Sequence, residues 1–274
     1  MHELLRAPAD LRLDDLDTSA APGFDGDKAE GEAALADAAD RLSELQERLH
    51  AASTAGGTRR VLLVLQAMDT AGKGGIVRHV VGAVDPQGVH LAAFKKPTDD
   101  ELAHHFLWRV EKQLPGPGKI GVFDRSHYED VLIGRVRQLA PADEIEQRYA
   151  DIVQFERRVV ESGIVLVKVM LHISADEQKA RLAERLDRPD KHWKYRPGDI
   201  DERMLWDDYQ AAYQLAIERT DADHAPWFVV PANHKWYARL AVQSLLIAAL
   251  ERIDPQWPVA DFDVEVEKKR LAAT

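Results

Sequence analysis

A doubly wound α/β domain, with five parallel strands flanked by helices, is the fold this 274-residue sequence predicts. Three observations carry that expectation. Five short apolar runs recur along the chain, the stretches between them have helical periodicity, and a glycine-rich segment follows the first run directly. The runs are RVLLVLQ (60–66), VHLAAF (89–94), KIGVFD (119–124), IVLVKVMLHI (164–173) and APWFVV (225–230). Their apolar residues are continuous rather than alternating, the pattern of strands covered on both faces of a parallel sheet. Alternation of such strands with helices builds βαβ units.

Taken in order, residues 1–27 are rich in Asp, Ala and Pro without a sustained period, and predict an irregular acidic arm over the surface. From Asp27 to Ala52, Leu35, Ala38, Leu42, Leu45 and Leu49 recur at three- and four-residue spacing, one face of an amphipathic helix that STAGGT ends. Further helices are expected at 72–84, 99–114, 143–162, 175–186 and 199–219, and one at 234–252 closes the domain. A single domain thus spans 28–256, with a lid at about 175–203 and a tail of mixed charge at 257–274.

Composition bounds the function. The chain has no cysteine, which excludes disulfides and thiolate metal sites and fits a reducing compartment. No apolar run approaches the roughly 20 residues of a membrane helix, and MHELLRAPADLRLDD lacks the apolar centre of a signal peptide, so the cytoplasm is the expected location. A net charge of −11 argues at first against a polyanionic ligand. Its distribution reverses that argument. Residues 1–40 hold 11 Asp/Glu against 3 Lys/Arg, which leaves only three of the eleven negative charges to residues 41–274. Within that nearly neutral body, QKARLAERLDRPDKHWKYRPG (178–198) has 7 Lys/Arg against 3 Asp/Glu and could dock an anion.

AMDTAGKGG (67–75) lies directly after the first strand and before a helix, the context in which backbone N–H groups cradle a phosphate. Ala71, Gly72, Gly74 and Gly75 supply the loop backbone, and Lys73 can reach a phosphate oxygen as a point charge. Two departures from the usual loop stand out. Ala67 replaces the first glycine, and Gly74 replaces the Ser or Thr whose hydroxyl binds Mg²⁺. Asp69, inside the loop, offers a carboxylate that can take over part of that metal work. Asp124 ends the third strand, on the sheet edge where open α/β folds bind ligands, and supplies a second metal-orienting acid. Arg125 follows and can clamp a phosphate in a fork. In the lid segment Arg181 and Arg185 share a helix face, and Arg188, Lys191 and Lys194 continue a positive surface beyond Pro189. Such cations neutralise charge on a moving phosphoryl group, and a closing lid excludes water. Trp193 reads as a packing anchor of the lid, and Trp206, Tyr209 and Tyr213 as a core-facing stripe. His104, His105 and His127 lack the spacing of a zinc site.

In this order and at these separations, QAMDTAGKGG, FDRSHYEDVL and RLDRPDKHWKYRPGDIDERMLWDDYQAAY resemble the polyphosphate kinase 2 family. FKKPTDDELAHHFLWR and APWFVVPANHKWYARLA are similar to family segments as well, so the resemblance covers roughly residues 30–255. It implies a phosphate-loop kinase fold with a helical lid and Mg²⁺-dependent, reversible phosphoryl transfer between inorganic polyphosphate and nucleotides, with Mn²⁺ as an alternative metal. By matching position it makes Asp69 and Asp124 the metal and catalytic carboxylates, and gives phosphate at the reacting centre to Lys73 and Arg125. Lys95, Thr98 and Arg109 match family positions without individual roles. The resemblance also implies a homo-oligomer, dimer or tetramer, and the nucleotides AMP, ADP and ATP, with guanine nucleotides as a further class. Nucleic acid and membrane are not among the expected partners. An acidic residue at the position of Glu129 resembles the branch that phosphorylates both mono- and diphosphates, and would act through metal or water placement beside the acceptor. Two other readings stay open: an ATP-dependent nucleotide kinase of the same fold, and a non-catalytic polyphosphate-binding protein.

Overall fold

The computed structural model describes all 274 residues. Its centre is the expected five-stranded parallel sheet, with β1 (Arg60–Ala67), β2 (Val89–Ala93), β3 (Ile120–Asp124), β4 (Ile164–His172) and β5 (Trp227–Pro231) in the order β2-β3-β1-β4-β5. Register follows from the two-residue period of a strand. Val61, Leu63 and Leu65 of β1 enter one core, and Leu62 and Val64 enter the other. Both faces are therefore covered, which is why the runs are apolar without alternation.

On the first face lie α1 (Lys28–Asp37), α2 (Ala39–Thr54) and α3 (Lys73–His79), and on the second α4 (Ala142–Glu161). The segment expected as a lid follows as α5 (Ala175–Asp187), then a 3₁₀ segment Pro189–Lys194 and a turn Gly198–Arg203. Next, α6 (Trp206–Thr220) joins the second face, α7 (Lys235–Ile253) joins the first, and α8 (Val264–Ala272) ends the chain. No helix is long and apolar enough to cross a membrane.

Several expectations change. The single helix over 27–52 is two helices that break at Ala38. The reason is a close approach: a Cβ at Gly31 would sit 2.2 Å from the Trp236 ring, so α1 lies on α7. The leucine stripe of α2 instead follows the sheet. Over 99–114 only the turns Asp99–Leu102 and Trp108–Glu111 are helical, because a ring nitrogen of His104 hydrogen-bonds the Asp100 carbonyl and the ring stacks on Trp108. The expected tail carries α8, capped by Asp263, whose carboxylate accepts from the amides of Glu265 and Val266.

The N-terminal arm is irregular apart from the turn His2–Leu5 and a 3₁₀ turn Leu13–Asp15, yet it does not merely lie over the surface. Leu5, Leu11 and Leu13 are buried, and the Ala7 amide donates to the Trp227 carbonyl at 2.9 Å. Arg6 pairs antiparallel with Phe228, so the arm closes the β5 edge of the sheet. Gln214 holds it further along, accepting from the Leu13 amide and donating to the Leu11 carbonyl.

Candidate active site

The ends of β1 and β3 are neighbours, and this brings the loop acids and bases together. Leu65 lies beside Asp124 in register, and the Arg125 amide donates to the Leu65 carbonyl at 3.1 Å, carrying the ladder one residue beyond the strand. Two non-glycine residues here have left-handed backbone, Thr70 at φ 69° and Arg125 at φ 65°. Such conformations are strained and persist where surrounding contacts over-determine them.

In the loop Met68–Gly72, carbonyls and amides point to different partners. The Asp69 carbonyl accepts from Gln178 Nε2 at 3.2 Å, and the carbonyls of Thr70 and Ala71 accept from Arg181 at 3.0 and 2.9 Å. The amides of Thr70, Gly72, Lys73 and Gly74 meet no acceptor in the protein. Gly72, at φ 121°, provides the turn that only glycine adopts without strain. A run of unpaired amides is an anion cradle. Lys73 donates from Nζ to the Ala67 carbonyl at 2.9 Å. Burial lowers its pKa, while the nearby Asp69, Asp124 and Glu129 carboxylates raise it against that trend.

Arg125 binds the acids to one another. Its Nη2 donates to Asp69 Oδ1 at 3.1 Å and its Nη1 to Glu129 Oε2 at 3.4 Å. Glu129 sits in the 3₁₀ turn His127–Asp130, where burial raises its pKa against the lowering effect of Arg125 and Lys73. Gln66 reaches it from β1. Turned to satisfy both ends, the Gln66 amide donates to Glu129 Oε1 at 3.0 Å and accepts from the Ser126 amide at 3.0 Å. Asp124, half-buried, makes no side-chain hydrogen bond.

Beneath this turn is a fully buried polar network. Lys168 donates to Glu156 Oε2 at 2.7 Å, to the Thr220 carbonyl at 2.9 Å and to the Tyr128 hydroxyl at 3.1 Å. Glu156 Oε1 also accepts from the Tyr128 hydroxyl at 2.8 Å and faces His127 Nε2 at 3.2 Å. Burial alone would raise the Glu156 pKa, but Lys168 and His127 bring it below the usual carboxylate range. His127 is thereby structural, as the missing zinc spacing implied. The network ties the Ser126–Asp130 turn to β4, α4 and α6.

The cations of the segment expected as a lid divide. Arg185 donates to the Lys194 carbonyl at 3.1 Å and to Asp199 Oδ2 at 3.4 Å, and Asp199 is close enough to Asp69 for their charges to interact. Arg188 pairs with Glu184 and Asp190 on the surface, Lys191 pairs with Asp190, and the Lys194 ammonium lies 4.9 Å from the Trp193 ring centre. Arg181 departs from the expected surface. It is 5% exposed and directed inward under the loop, because the first two turns of α5 pack against the loop rather than over it. Trp193 also departs from its expected packing role, being 78% exposed. Tyr209 and Tyr213 are buried as expected, and Tyr213 is near enough to Glu129 for that charge to raise its pKa beyond the effect of burial.

Sequence reasoning did not single out Gln66, Ser126, Gln178 or the Lys168–Glu156 pair. Lys168 carried a readable signal, a lone lysine in the middle of an apolar strand. The glutamines carried none.

The family model described as polyphosphate kinase 2 matches residues 25–258. An AMP/ADP-polyphosphate phosphotransferase of Meiothermus ruber is 48% identical over 247 residues, 90% of each chain. An ADP-polyphosphate phosphotransferase of Rhodopseudomonas palustris is 41% identical over 231 residues, covering 80% of this chain and 78% of that one. Among solved structures, polyphosphate kinase 2 from Arthrobacter aurescens TC1 superposes with a TM-score of 0.97 at 58% identity, covering 99% of this chain and 96% of that one. On these likenesses, the chain belongs to the polyphosphate kinase 2 family.

Proposed function

We propose that the protein transfers the terminal phosphoryl group of inorganic polyphosphate to ADP, giving ATP and a chain one phosphate shorter, and likewise converts AMP to ADP. The single observation that carries this reading is the loop of four unpaired amides beside Lys73, faced by Asp69, Asp124, Arg125 and Glu129. No nucleophilic side chain is needed. Phosphoryl transfer is catalysed by positioning and by charge placed on the moving group.

In this reading the loop amides and Lys73 hold phosphate oxygens at the reacting centre. Arg125 exchanges one of its carboxylate partners for a phosphate oxygen and fixes its direction by the other fork. Glu129, held by Gln66 and Arg125, orders the acceptor side. Arg185, Arg188, Lys191 and Lys194 follow the polyphosphate chain, whereas Arg181 supports the loop from below. The donor set also fits a divalent cation. Asp69 and Asp124 provide oxygen ligands, Asp124 has no other partner, and no group of three acidic or histidine side chains forms a complete cage. Two carboxylates completed by phosphate oxygens and water is how Mg²⁺ is usually held. When bound, Mg²⁺, or Mn²⁺ in its place, would supply charge neutralisation of the phosphate oxygens.

The test gives purified protein long-chain polyphosphate, Mg²⁺ and either ADP or AMP, with no ATP. ATP from ADP, abolished in Lys73→Ala, is the expected result; ADP from AMP extends it to monophosphates. Product only when ATP is the donor would replace this reading with a nucleotide kinase.

A further inference from the structure

The loop needs its carbonyls turned away from the ligand if its amides are to face it, and each buried carbonyl then needs a donor of its own. Thr70 and Ala71 are the residues where this requirement is greatest. Their carbonyls lie inside the protein, and Thr70 has a left-handed backbone that would relax if it were not held. One side chain meets both needs. Arg181 donates from Nη1 to Thr70 O and Ala71 O at 3.0 and 2.9 Å. From Nη2 it donates to Ala232 O and Asn233 O, at 2.6 and 2.9 Å, in the turn after β5. Its Nε donates to Glu177 Oε1 at 2.6 Å.

A guanidinium has five N–H donors and no acceptor. All five are used within the protein, so Arg181 has nothing left for a phosphate. Glu177, one turn earlier on α5, neutralises the charge. Gln178 completes the brace through the Asp69 carbonyl, and Arg203 in turn donates to Gln178 Oε1 at 3.0 Å.

We infer that Arg181 is a positioning residue for phosphoryl transfer: it clamps the carbonyls of Thr70 and Ala71 to the turn after β5 and so orients the loop amides, and it does not bind polyphosphate itself. The inference rests on the function proposed above. It also fixes where the lid can begin. The first two turns of α5 are anchored to the loop, so any lid movement starts beyond Leu182.

Steady-state kinetics of Arg181→Gln and Arg181→Lys test it, with ADP and polyphosphate across a range of salt, and Arg188→Gln as comparison. Loss of loop geometry by about 1 Å costs on the order of 10²-fold in rate, so kcat of Arg181→Gln should fall about that far. Arg181→Lys keeps the charge but reaches at most two of the four carbonyls, so it should not restore kcat. Polyanion binding weakens with salt in proportion to the cations that touch it. The slope of KM for polyphosphate against salt should therefore match wild type in both Arg181 variants and become shallower in Arg188→Gln.

An Arg181→Gln enzyme with wild-type kcat, a raised KM for polyphosphate and a shallower salt slope would overturn the inference, as would full recovery in Arg181→Lys. If neither variant folds, side-chain nitrogen resonances of wild-type Arg181 decide the matter. They should stay in place when tripolyphosphate is added, and a large shift would show direct contact. A wild-type enzyme that makes no ATP from polyphosphate would instead refute the proposed function, whatever the Arg181 variants do.

Discussion

Replacing Lys168 by methionine should destabilise the protein far more than the loss of one side chain from a surface. Lys168 is fully buried in the middle of β4, and its ammonium donates directly to Glu156, whose other oxygen faces the ring of His127. Methionine fills the same space with a flexible stem, so little of the effect comes from a cavity. What remains is a buried carboxylate without its partner, together with a Thr220 carbonyl that has lost its donor. Breaking a buried pair on one side costs about 3–5 kcal/mol. For a chain of this size that corresponds to a fall in melting temperature of roughly 6–20 °C. Urea unfolding followed by tryptophan fluorescence is a direct assay, since Trp227 lies 5.1 Å from the Lys168 ammonium. Adding Glu156→Leu to Lys168→Met removes the stranded charge, and the double variant should recover part of the loss, the Tyr128 hydroxyl keeping Thr220 Oγ1 as a partner. A single variant within about 0.5 kcal/mol of wild type, inside the range of surface substitutions, would refute the reasoning. So would a double variant at least as unstable as the single.

Glu129→Gln should raise stability at neutral pH while altering the balance between AMP and ADP as acceptors. A carboxyl whose folded pKa is raised stabilises below its unfolded value, about 4.3, and loses that contribution as pH rises through the folded value. The stability gap between variant and wild type should therefore widen from acid to neutral pH, and thermal melts at several pH values would show it. His172 has the opposite sign. Burial lowers its pKa, so its contribution is present above about 6.5 and fades as pH falls, loosening the arm that bonds its Nε2 through the Leu13 carbonyl at 3.0 Å. Limited proteolysis within residues 1–20 should accelerate below that pH in wild type, and equal rates on both sides of it would count against the assignment. Asn233→Ala removes an acceptor for the Ser174 amide and two donors to Thr18 and Ser19, which at about 1 kcal/mol each predicts a loss of about 2–3 kcal/mol. Urea midpoints check this, and Asn233→Asp, which keeps only the acceptor, should fall between.

β1, β3, β4 and β5 were legible because burial leaves an apolar run that no surface element imitates, whereas the edge strand β2, with Leu91 exposed, was legible from its apolar composition alone. The loop and its acids were legible because they sit at strand ends, where sequence position and spatial position coincide. Helix limits were less so. The break at Ala38 depends on Gly31 meeting Trp236, a contact about two hundred residues away in the chain. Arg181 and Arg185 show the same limit within the site. Four residues apart on one helix, they read as a single cationic face, yet one is buried under the loop and the other reaches Asp199. Helical spacing reports which residues share a face, and only packing decides which part of that face is covered. Gln66 and Gln178 were invisible for a related reason: a buried glutamine is identified by the partners it satisfies, and those come from distant loops.

That division of the cations bears on turnover. Arg125, Arg185, Arg188 and Lys191 are each paired with a carboxylate of the protein, mostly where solvent reaches. An incoming phosphate oxygen can replace such a partner, so the gain is the difference between two similar interactions rather than the whole of one. In the proposed function, contacts of that kind would hold a polyanion without trapping it. They suit an enzyme that must release a shortened chain, because tight uniform binding of substrate and product adds nothing to the chemical step. Arg181 is different in kind. With five donors of a buried guanidinium committed to five acceptors of the protein, it has no donor free for a phosphate and is suited to keep the loop in shape. In the proposed function, the same residue type, one helical turn apart, is thus divided by burial into a brace for the loop and a contact for polyphosphate.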